Sequence, residues 1–142
     1  MDKKELVRQF VNMIDESIDL VYGDDFYVDI PEEEITYTFK SYPKTDELFS
    51  RFVKETFHEE INIFLISLMH EVGHIMTYSE EMHQERAFLY YALQLDYKPE
   101  EEEEFNMAYF NIPSEYAATE WGVNFYKNNR EMCDNFITEL CK

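Results

Sequence analysis

The chain has 142 residues, of which 45% are hydrophobic, 17% aromatic and 30% charged. This length and composition suit one domain with its own core, and we therefore treat residues 1–142 as a single domain. The 31 acidic residues outnumber the 12 basic residues, which gives a formal net charge of -19. Such a charge argues against nucleic-acid and anionic-membrane partners and favours basic partners or cations.

The N-terminal sequence and the hydropathy predict a cytoplasmic protein without membrane spans. Residues 1–20 carry charges throughout and lack the uninterrupted apolar stretch of a signal peptide. No window approaches the roughly 18 uncharged apolar residues of a membrane helix. Cys133 and Cys141 have neither CxxC spacing nor the density of a disulfide scaffold, and we expect two reduced thiols on a terminal helix.

The first half of the chain predicts a helix, a hairpin and a second helix. Apolar residues at steps of three and four predict an amphipathic helix over residues 2–21, which Gly23 ends. Two runs of alternating apolar residues, 26–30 and 35–39, predict a hairpin. After the break at Tyr42-Pro43, Thr45 or Asp46 can cap a helix that runs through Phe52.

The second half predicts four more helices. Segment 59–78 is apolar on almost every side, which predicts a helix buried at the centre of the domain. Residues 80–97 predict the next helix, and the last two begin near Pro113 and near Asn129. The acidic run from Glu100 to Glu104 resists packing and is expected to form an exposed connection.

Together these elements predict a mainly helical α+β fold. Its small antiparallel sheet is expected to pack on the central helix, because the alternating strands need an apolar surface to cover. The same helix carries the most informative motif in the chain.

That motif is His70-Glu71-Val72-Gly73-His74. Histidines four residues apart lie on the same side of a helix, so their imidazoles can hold one metal ion. Glu71 projects beside them, where a general base can take a proton from water activated by the metal. Histidines satisfied by core hydrogen bonds are the alternative, but a metal ion would satisfy these buried polar groups at once. The missing side chain at Gly73 would let another backbone come close.

A zinc site of this type needs a third protein ligand. Segment 113–125 predicts a helix with Ala118 and Gly122 in its buried stripe, Glu115 at the edge of that stripe and Glu120 on the far side. Glu115 can therefore face the central helix, and the small residues let the two helices approach closely. Two imidazoles and one carboxylate suit zinc best.

The residues that follow His74 exclude one kind of third ligand and offer another. Sites with a histidine six residues after the second motif histidine, and a glycine between, are excluded because Thr77 and Glu80 occupy those positions. His83, nine residues after His74, is the other candidate ligand.

With these residues, the chain resembles the zincin metallopeptidases, and within them the glutamate-ligand zincins and the small ImmA/IrrE-like or phage-encoded enzymes. The resemblance rests on HEVGH and on EYAATEWG, which is similar to that family's E-x-x-A-(N/D)-x-(F/W)-(A/G) sequence. It implies a zincin-like domain with His70, His74 and Glu115 as zinc ligands and Glu71 as the catalytic base. Thr119 stands where the family has Asn or Asp to orient a ligand histidine.

The resemblance implies a Zn²⁺-dependent metallopeptidase that hydrolyses a protein or peptide substrate in the cytoplasm, in the setting of a phage or mobile element. A second donor would stabilise the oxyanion, and the candidates are Tyr78, His83, Tyr109 and Tyr116. A second hypothesis is a zincin-fold binding protein whose acidic surface engages a basic partner. A third is an acidic mimic of DNA that binds basic proteins without metal.

Overall fold

The computed structural model describes residues 1–142 as seven α-helices, one 3-10 turn and a three-stranded sheet. The elements in chain order are α1 (Lys3–Ile14), β1 (Asp19–Tyr22), β2 (Tyr27–Asp29), β3 (Glu34–Tyr37), α2 (Pro43–Phe57), α3 (Ile63–Met76), α4 (Glu80–Asp96), the 3-10 turn (Pro99–Glu101), α5 (Glu102–Phe110), α6 (Pro113–Asn128) and α7 (Arg130–Leu140). This is the mainly helical α+β fold that the sequence predicts. No helix combines the length and the apolar character needed to cross a membrane.

The central helix, α3, is in contact with both apolar clusters of the core. Asn62 begins it, because the Asn62 side chain accepts a hydrogen bond from the Leu65 amide at 3.1 Å. Leu68 and Val72 belong to a cluster shared with α1, α7 and the sheet. Ile66 belongs to a second cluster, with residues of α2, α5 and α6. A helix that is apolar on almost every side is thus buried on almost every side, as predicted.

Helix α6 packs against α3 at a separation that two glycines permit. A Cβ atom on Gly73 would meet the backbone of Ala118, whose carbonyl carbon would lie only 2.9 Å away. A Cβ atom on Gly122 would come within 3.1 Å of the Cβ atom of Met69. The expectation that Gly73 lets another backbone come close is confirmed. The N-terminal turns of α6 therefore lie beside the two motif histidines of α3.

The sheet is mixed, whereas the sequence predicted an antiparallel one. Strands β2 and β3 form the predicted hairpin, with Val28 opposite Ile35. Strand β1 pairs with β3 in parallel, with Leu20 opposite Ile35. The strand order β1-β3-β2 makes β3 central, which explains why Ile35 is fully buried, and leaves β2 at the edge. Both β2 and β3 pack against α3.

The predicted helix over residues 2–21 is too long, and β1 takes its last part. The Asp15 carboxylate accepts hydrogen bonds from the Ser17 amide at 2.9 Å and from the Ser17 hydroxyl at 2.6 Å, which turns the chain after α1. Val21 continues the helical spacing of apolar residues but lies in β1 and is 42% exposed. Pairing with β3 provides the backbone hydrogen bonds there, so Gly23 follows a strand and ends no helix.

The start of α2 also differs from the prediction. The helix begins at Pro43, before the predicted caps Thr45 and Asp46. Proline suits the first turn of a helix because its missing N–H group has no intrahelical partner there. The Asp46 carboxylate instead accepts a hydrogen bond from the Tyr42 amide at 3.1 Å, from inside the first turn.

The acidic run from Glu100 to Glu104 is exposed but is helical, so the prediction of a connection is wrong for its second part. Its last three residues form the first turn of α5, where the helix dipole favours carboxylates. Two of them also pair with cations of α2: Lys44 lies 2.9 Å from Glu102, and Arg51 pairs with Glu103. These partners offset the like-charge repulsion that the run creates.

The two cysteines are free, as predicted. Cys133 lies on α7 in the main core cluster, and Cys141 follows the same helix at the surface. Burial raises the pKa of the Cys133 thiol to about 11, so this thiol stays protonated at neutral pH.

Helix propensity and packing make opposite predictions for Gly73→Ala. Propensity alone would stabilise α3 by about 1 kcal/mol, but the added methyl group collides with the Ala118 backbone, which cannot turn away. We expect a net loss of about 1 to 3 kcal/mol in the free energy of unfolding of the metal-free protein, measured by urea denaturation.

Ala87→Gly, at an exposed position of α4, is the control for propensity alone and should lose about 1 kcal/mol. A Gly73→Ala protein more stable than the wild type would contradict the close approach of α3 and α6.

Candidate metal centre

Three side chains from two helices converge on one point. The Nε2 atoms of His70 and His74 lie 3.1 Å apart. The Oε1 atom of Glu115 lies 3.1 Å from the first nitrogen and 3.2 Å from the second. The one-turn spacing on α3 and the close approach of α6 produce this arrangement, which is the only group of His, Cys, Asp and Glu side chains in the chain positioned to hold a metal ion.

The distances among these three atoms fit the coordination of a small divalent ion. Donors bonded at about 2.0 to 2.1 Å to a tetrahedral ion are about 3.4 Å from one another, close to the separations of 3.1 and 3.2 Å in this site. Two imidazole nitrogens and a carboxylate oxygen all offer lone pairs, and one cation satisfies the three together. His70, His74 and Glu115 therefore could hold a metal ion.

Thr119 sets the orientation of the His70 ring. Its hydroxyl donates to the Glu115 carbonyl oxygen at 3.1 Å, one turn back on α6. The same hydroxyl oxygen lies 2.8 Å from Nδ1 of His70, so it accepts the Nδ1 proton. In this tautomer neutral His70 has its Nε2 lone pair free to bind a metal ion, whereas in the protonated ring Nε2 donates a hydrogen bond to Glu115. Thr119 thus orients the candidate ligand His70, a role for which the sequence resemblance led us to expect Asn or Asp.

Glu115 is a fully ionised carboxylate despite being only 1% exposed. Burial by itself would raise its pKa, but the hydrogen bonds with His70 and His74 and their charges hold the pKa far below its usual range. Its second oxygen, Oε2, accepts a hydrogen bond from Nε of Arg86 at 2.7 Å. The buried charge therefore has partners on both oxygens, from α3 and from α4.

Burial lowers the pKa of His70, but the hydrogen bond with Glu115 and the charges of Glu71 and Glu115 outweigh it, and the net pKa is raised. A proton therefore competes with a metal ion for His70 at a higher pH than for an ordinary histidine.

Glu71 lies on α3 between the two histidines and lines the same cleft. Its side chain is buried, and desolvation raises its pKa, while the nearby His70 and His74 act in the opposite direction. A carboxylate with a raised pKa is a stronger base, and beside a candidate metal centre Glu71 is suited to accept and release a proton.

The three candidate ligands and Glu71 open into a cleft of about 650 Å³. Its lining comes from the sheet region, the start of α2, and helices α3, α4, α5 and α6. Aromatic rings form part of this lining, and Phe39 and Phe64 are in contact there with their centroids 5.3 Å apart. Phe49 places its ring edge-to-face with the His70 imidazole at 5.6 Å. The cleft is thus large enough for an extended peptide segment and is partly lined by aromatic rings.

The structure distinguishes among the other residues that the sequence suggested as ligands or as donors to the oxyanion. His83 is exposed on α4 and does not join the cluster of possible ligands, so it is wrong as the third ligand. Glu120 faces solvent, as expected. Of the four oxyanion candidates, Tyr116 does not line the cleft, whereas Tyr78, His83 and Tyr109 do. Tyr109 is the most buried of these three.

Sequence reasoning missed Arg86. Its guanidinium joins Glu115 to the Tyr109 hydroxyl, to which Nη2 donates at 3.0 Å. The only indication in the sequence was that Arg86 is the single lysine or arginine on α4. This indication was weak, because Arg86 lies 12 residues beyond the motif. Only the packing of α4 against α6 brings it to Glu115.

Comparison of the chain with protein-family models, with curated proteins and with solved structures finds no match. The metal centre is therefore supported by the geometry of the chain itself.

Glu115→Ala should abolish metal binding, because it removes one of three ligands. We expect wild-type protein purified without added metal to contain near one equivalent of a divalent metal ion, measured by plasma mass spectrometry, and the variant to contain almost none. Glu120→Ala, on the exposed side of the same helix, is the matched control and should keep the metal. Wild-type affinity should fall as the pH falls through the raised pKa of His70.

Thr119→Val tests the orientation of His70, because it keeps the volume and removes the hydroxyl. Losing such a partner of a ligand histidine lowers metal affinity by about 10- to 100-fold, which a competition titration with a chelator would measure. The control is Thr138→Val, at an exposed position of α7, which removes a hydroxyl that also donates to the carbonyl four residues back, at 2.9 Å. Equal affinities in both variants would contradict the orienting role.

Proposed function

We propose that this chain is a zinc-dependent metallopeptidase of the zincin type, which hydrolyses peptide bonds of a cytoplasmic protein substrate. The observation that carries the proposal is the placement of Glu71: a buried carboxylate with a raised pKa lies between the two histidines of a His-His-Glu cluster, in one cleft. Two imidazoles and one carboxylate suit zinc among the biological cations. The HEVGH and EYAATEWG resemblance agrees with this proposal.

The residues divide the chemistry among them. A zinc ion bound by His70, His74 and Glu115 would supply a Lewis acid that polarises a peptide carbonyl and acidifies water. Glu71 takes the proton from the attacking water and passes it to the leaving amine, and its raised pKa makes the carboxylate a stronger base for this task. The carboxylate then returns to its ionised state for the next cycle.

Tyr109 is our candidate for the donor to the developing oxyanion. Its hydroxyl oxygen accepts a hydrogen bond from Arg86, and the hydroxyl retains its own proton to donate. Burial, together with the Glu115 charge, raises the Tyr109 pKa and keeps this hydroxyl protonated. A neutral donor at the wall of the cleft can stabilise negative charge that appears on the carbonyl oxygen of the substrate.

The walls of the cleft favour an apolar or aromatic side chain next to the cleaved bond. Phe39, Phe49 and Phe64 line the cleft. The net charge of -19 adds a general attraction for basic segments of the substrate.

A binding protein is the second candidate function, and one observation favours it. Helix α4 has no buried residue, and Phe88, Tyr91 and Leu95 are 72%, 62% and 70% exposed along one face. Residues at steps of three and four form a continuous stripe on a helix. Such a stripe in an acidic chain would suit a basic amphipathic partner.

Glu71→Gln separates the two candidates. The amide keeps the shape but cannot accept the proton, so we expect near one equivalent of zinc together with a loss of about 100-fold or more in the cleavage rate. The assay is mass spectrometry of a proteome-derived peptide mixture incubated with zinc-loaded protein, before and after removal of the metal.

Glu120→Gln is the matched control and should cleave like the wild type. Cleavage by Glu71→Gln at the wild-type rate would exclude Glu71 as the base. A zinc-loaded wild type that cleaves nothing would favour the binding protein, whose interaction should survive this substitution.

A further inference from the structure

Arg86 of α4 lines the cleft and contacts the candidate metal centre through Glu115. It is the only lysine or arginine on α4, a helix on which no residue is buried. Its Nε donates to Oε2 of Glu115 at 2.7 Å, and its Nη2 donates to the Tyr109 hydroxyl at 3.0 Å. The guanidinium carbon also lies 5.7 Å from the ring centre of Tyr90 and 5.8 Å from that of Tyr109. The guanidinium is therefore fixed by groups from α4, α5 and α6.

The two oxygens of Glu115 have different partners because of this contact. Oε1 faces the two imidazoles, whereas Oε2 faces Arg86. A carboxylate that is only 1% exposed cannot replace a lost partner with bulk water. Without Arg86, Oε2 would be left without this donor, and the buried carboxylate would lower its free energy by turning toward another partner. A turned carboxylate is a poorer ligand.

We propose that Arg86 is a positioning residue of the metal centre, which holds Glu115 as a one-oxygen ligand and Tyr109 at the wall of the cleft. This inference rests on the proposed metallopeptidase function, but it concerns a residue that the HEVGH and EYAATEWG sequences do not contain. It also assigns a role to α4, because Arg86 of this helix lines the cleft and is hydrogen-bonded to the candidate metal ligand Glu115.

The positive charge of Arg86 repels a metal ion bound nearby. Its net effect on metal affinity is the sum of this repulsion and of the orientation of Glu115. Arg86 bonds Glu115 through Oε2, the oxygen turned away from the imidazoles, and its side chain is 33% exposed, so solvent screens its charge. The buried carboxylate of Glu71 offsets part of the same repulsion. Loss of a partner that orients a ligand weakens metal binding by about 10- to 100-fold. We therefore expect orientation to outweigh repulsion.

The test uses Arg86→Met, which keeps the length of the side chain and removes the charge and both hydrogen bonds. Zinc affinity is measured by competition with a chromophoric chelator, and the visible absorption spectrum of the Co²⁺-loaded protein reports the geometry of the ligands. We expect zinc affinity to fall at least ten-fold and the Co²⁺ spectrum to change. Unfolding of the metal-free variant by urea should remain cooperative.

Two controls separate positioning from other effects. Tyr109→Phe keeps the contact between Arg86 and Glu115 and should bind zinc within about two-fold of the wild type, although its cleavage rate should fall. Arg51→Met removes an exposed arginine that pairs with Glu103 on α5 and should alter neither zinc affinity nor the Co²⁺ spectrum.

Arg86→Lys keeps the charge but cannot make both hydrogen bonds of the guanidinium, so its zinc affinity should lie between those of Arg86→Met and the wild type. This variant decides the question if Arg86→Met does not fold. Wild-type zinc affinity and an unchanged Co²⁺ spectrum in Arg86→Met or Arg86→Lys would overturn the inference, and so would tighter binding. A wild-type protein that takes up no zinc would refute the proposed function and this inference together, whereas the other outcomes bear on Arg86 alone.

Discussion

The close approach of α3 and α6 is the constraint on which the rest of the site depends. Gly73 and Gly122 remove the two side chains that would hold these helices apart. At the resulting separation, Glu115 reaches both histidine rings, and Thr119 reaches Nδ1 of His70 from the next turn of α6. The close packing of these two helices thus brings the third candidate ligand, Glu115, into place and orients the first, His70. The apolar surroundings of α3 then shield the site from bulk water on the side of the core.

Burial of Glu115 shapes the electrostatics of the whole centre. An ionised carboxylate inside a protein is stable only with partners, and here His70 and His74 meet one oxygen while Arg86 meets the other. The burial of Glu71 itself raises the pKa of that carboxyl. Two carboxylates with pKa values moved in opposite directions are thus suited to different tasks: one to remain a permanent anion, the other to exchange a proton.

Sequence patterns predicted long elements better than their boundaries. Helix α4 agrees with the prediction to within one residue, and the central helix was predicted correctly in type but begins at Ile63, four residues after its predicted start. The N-terminal prediction failed after Ile14, because apolar residues at positions 18 and 21 fit a helix as well as a strand. Hydrogen bonding to β3, 15 residues farther along the chain, decided for the strand. Such pairing lies outside any local window of sequence.

The sequence by itself determined the pair of histidines, the place of Glu71 between them and the choice of Glu115 over Glu120, because helical periodicity fixes which residues share a face. Only the tertiary structure decided that His83 is no ligand, that Thr119 accepts the His70 Nδ1 proton and that Arg86 meets Glu115. Those contacts join α3, α4 and α6 across 29 to 49 residues of chain. Periodicity within one helix cannot encode them, because they depend on how closely and at which turn separate helices pack.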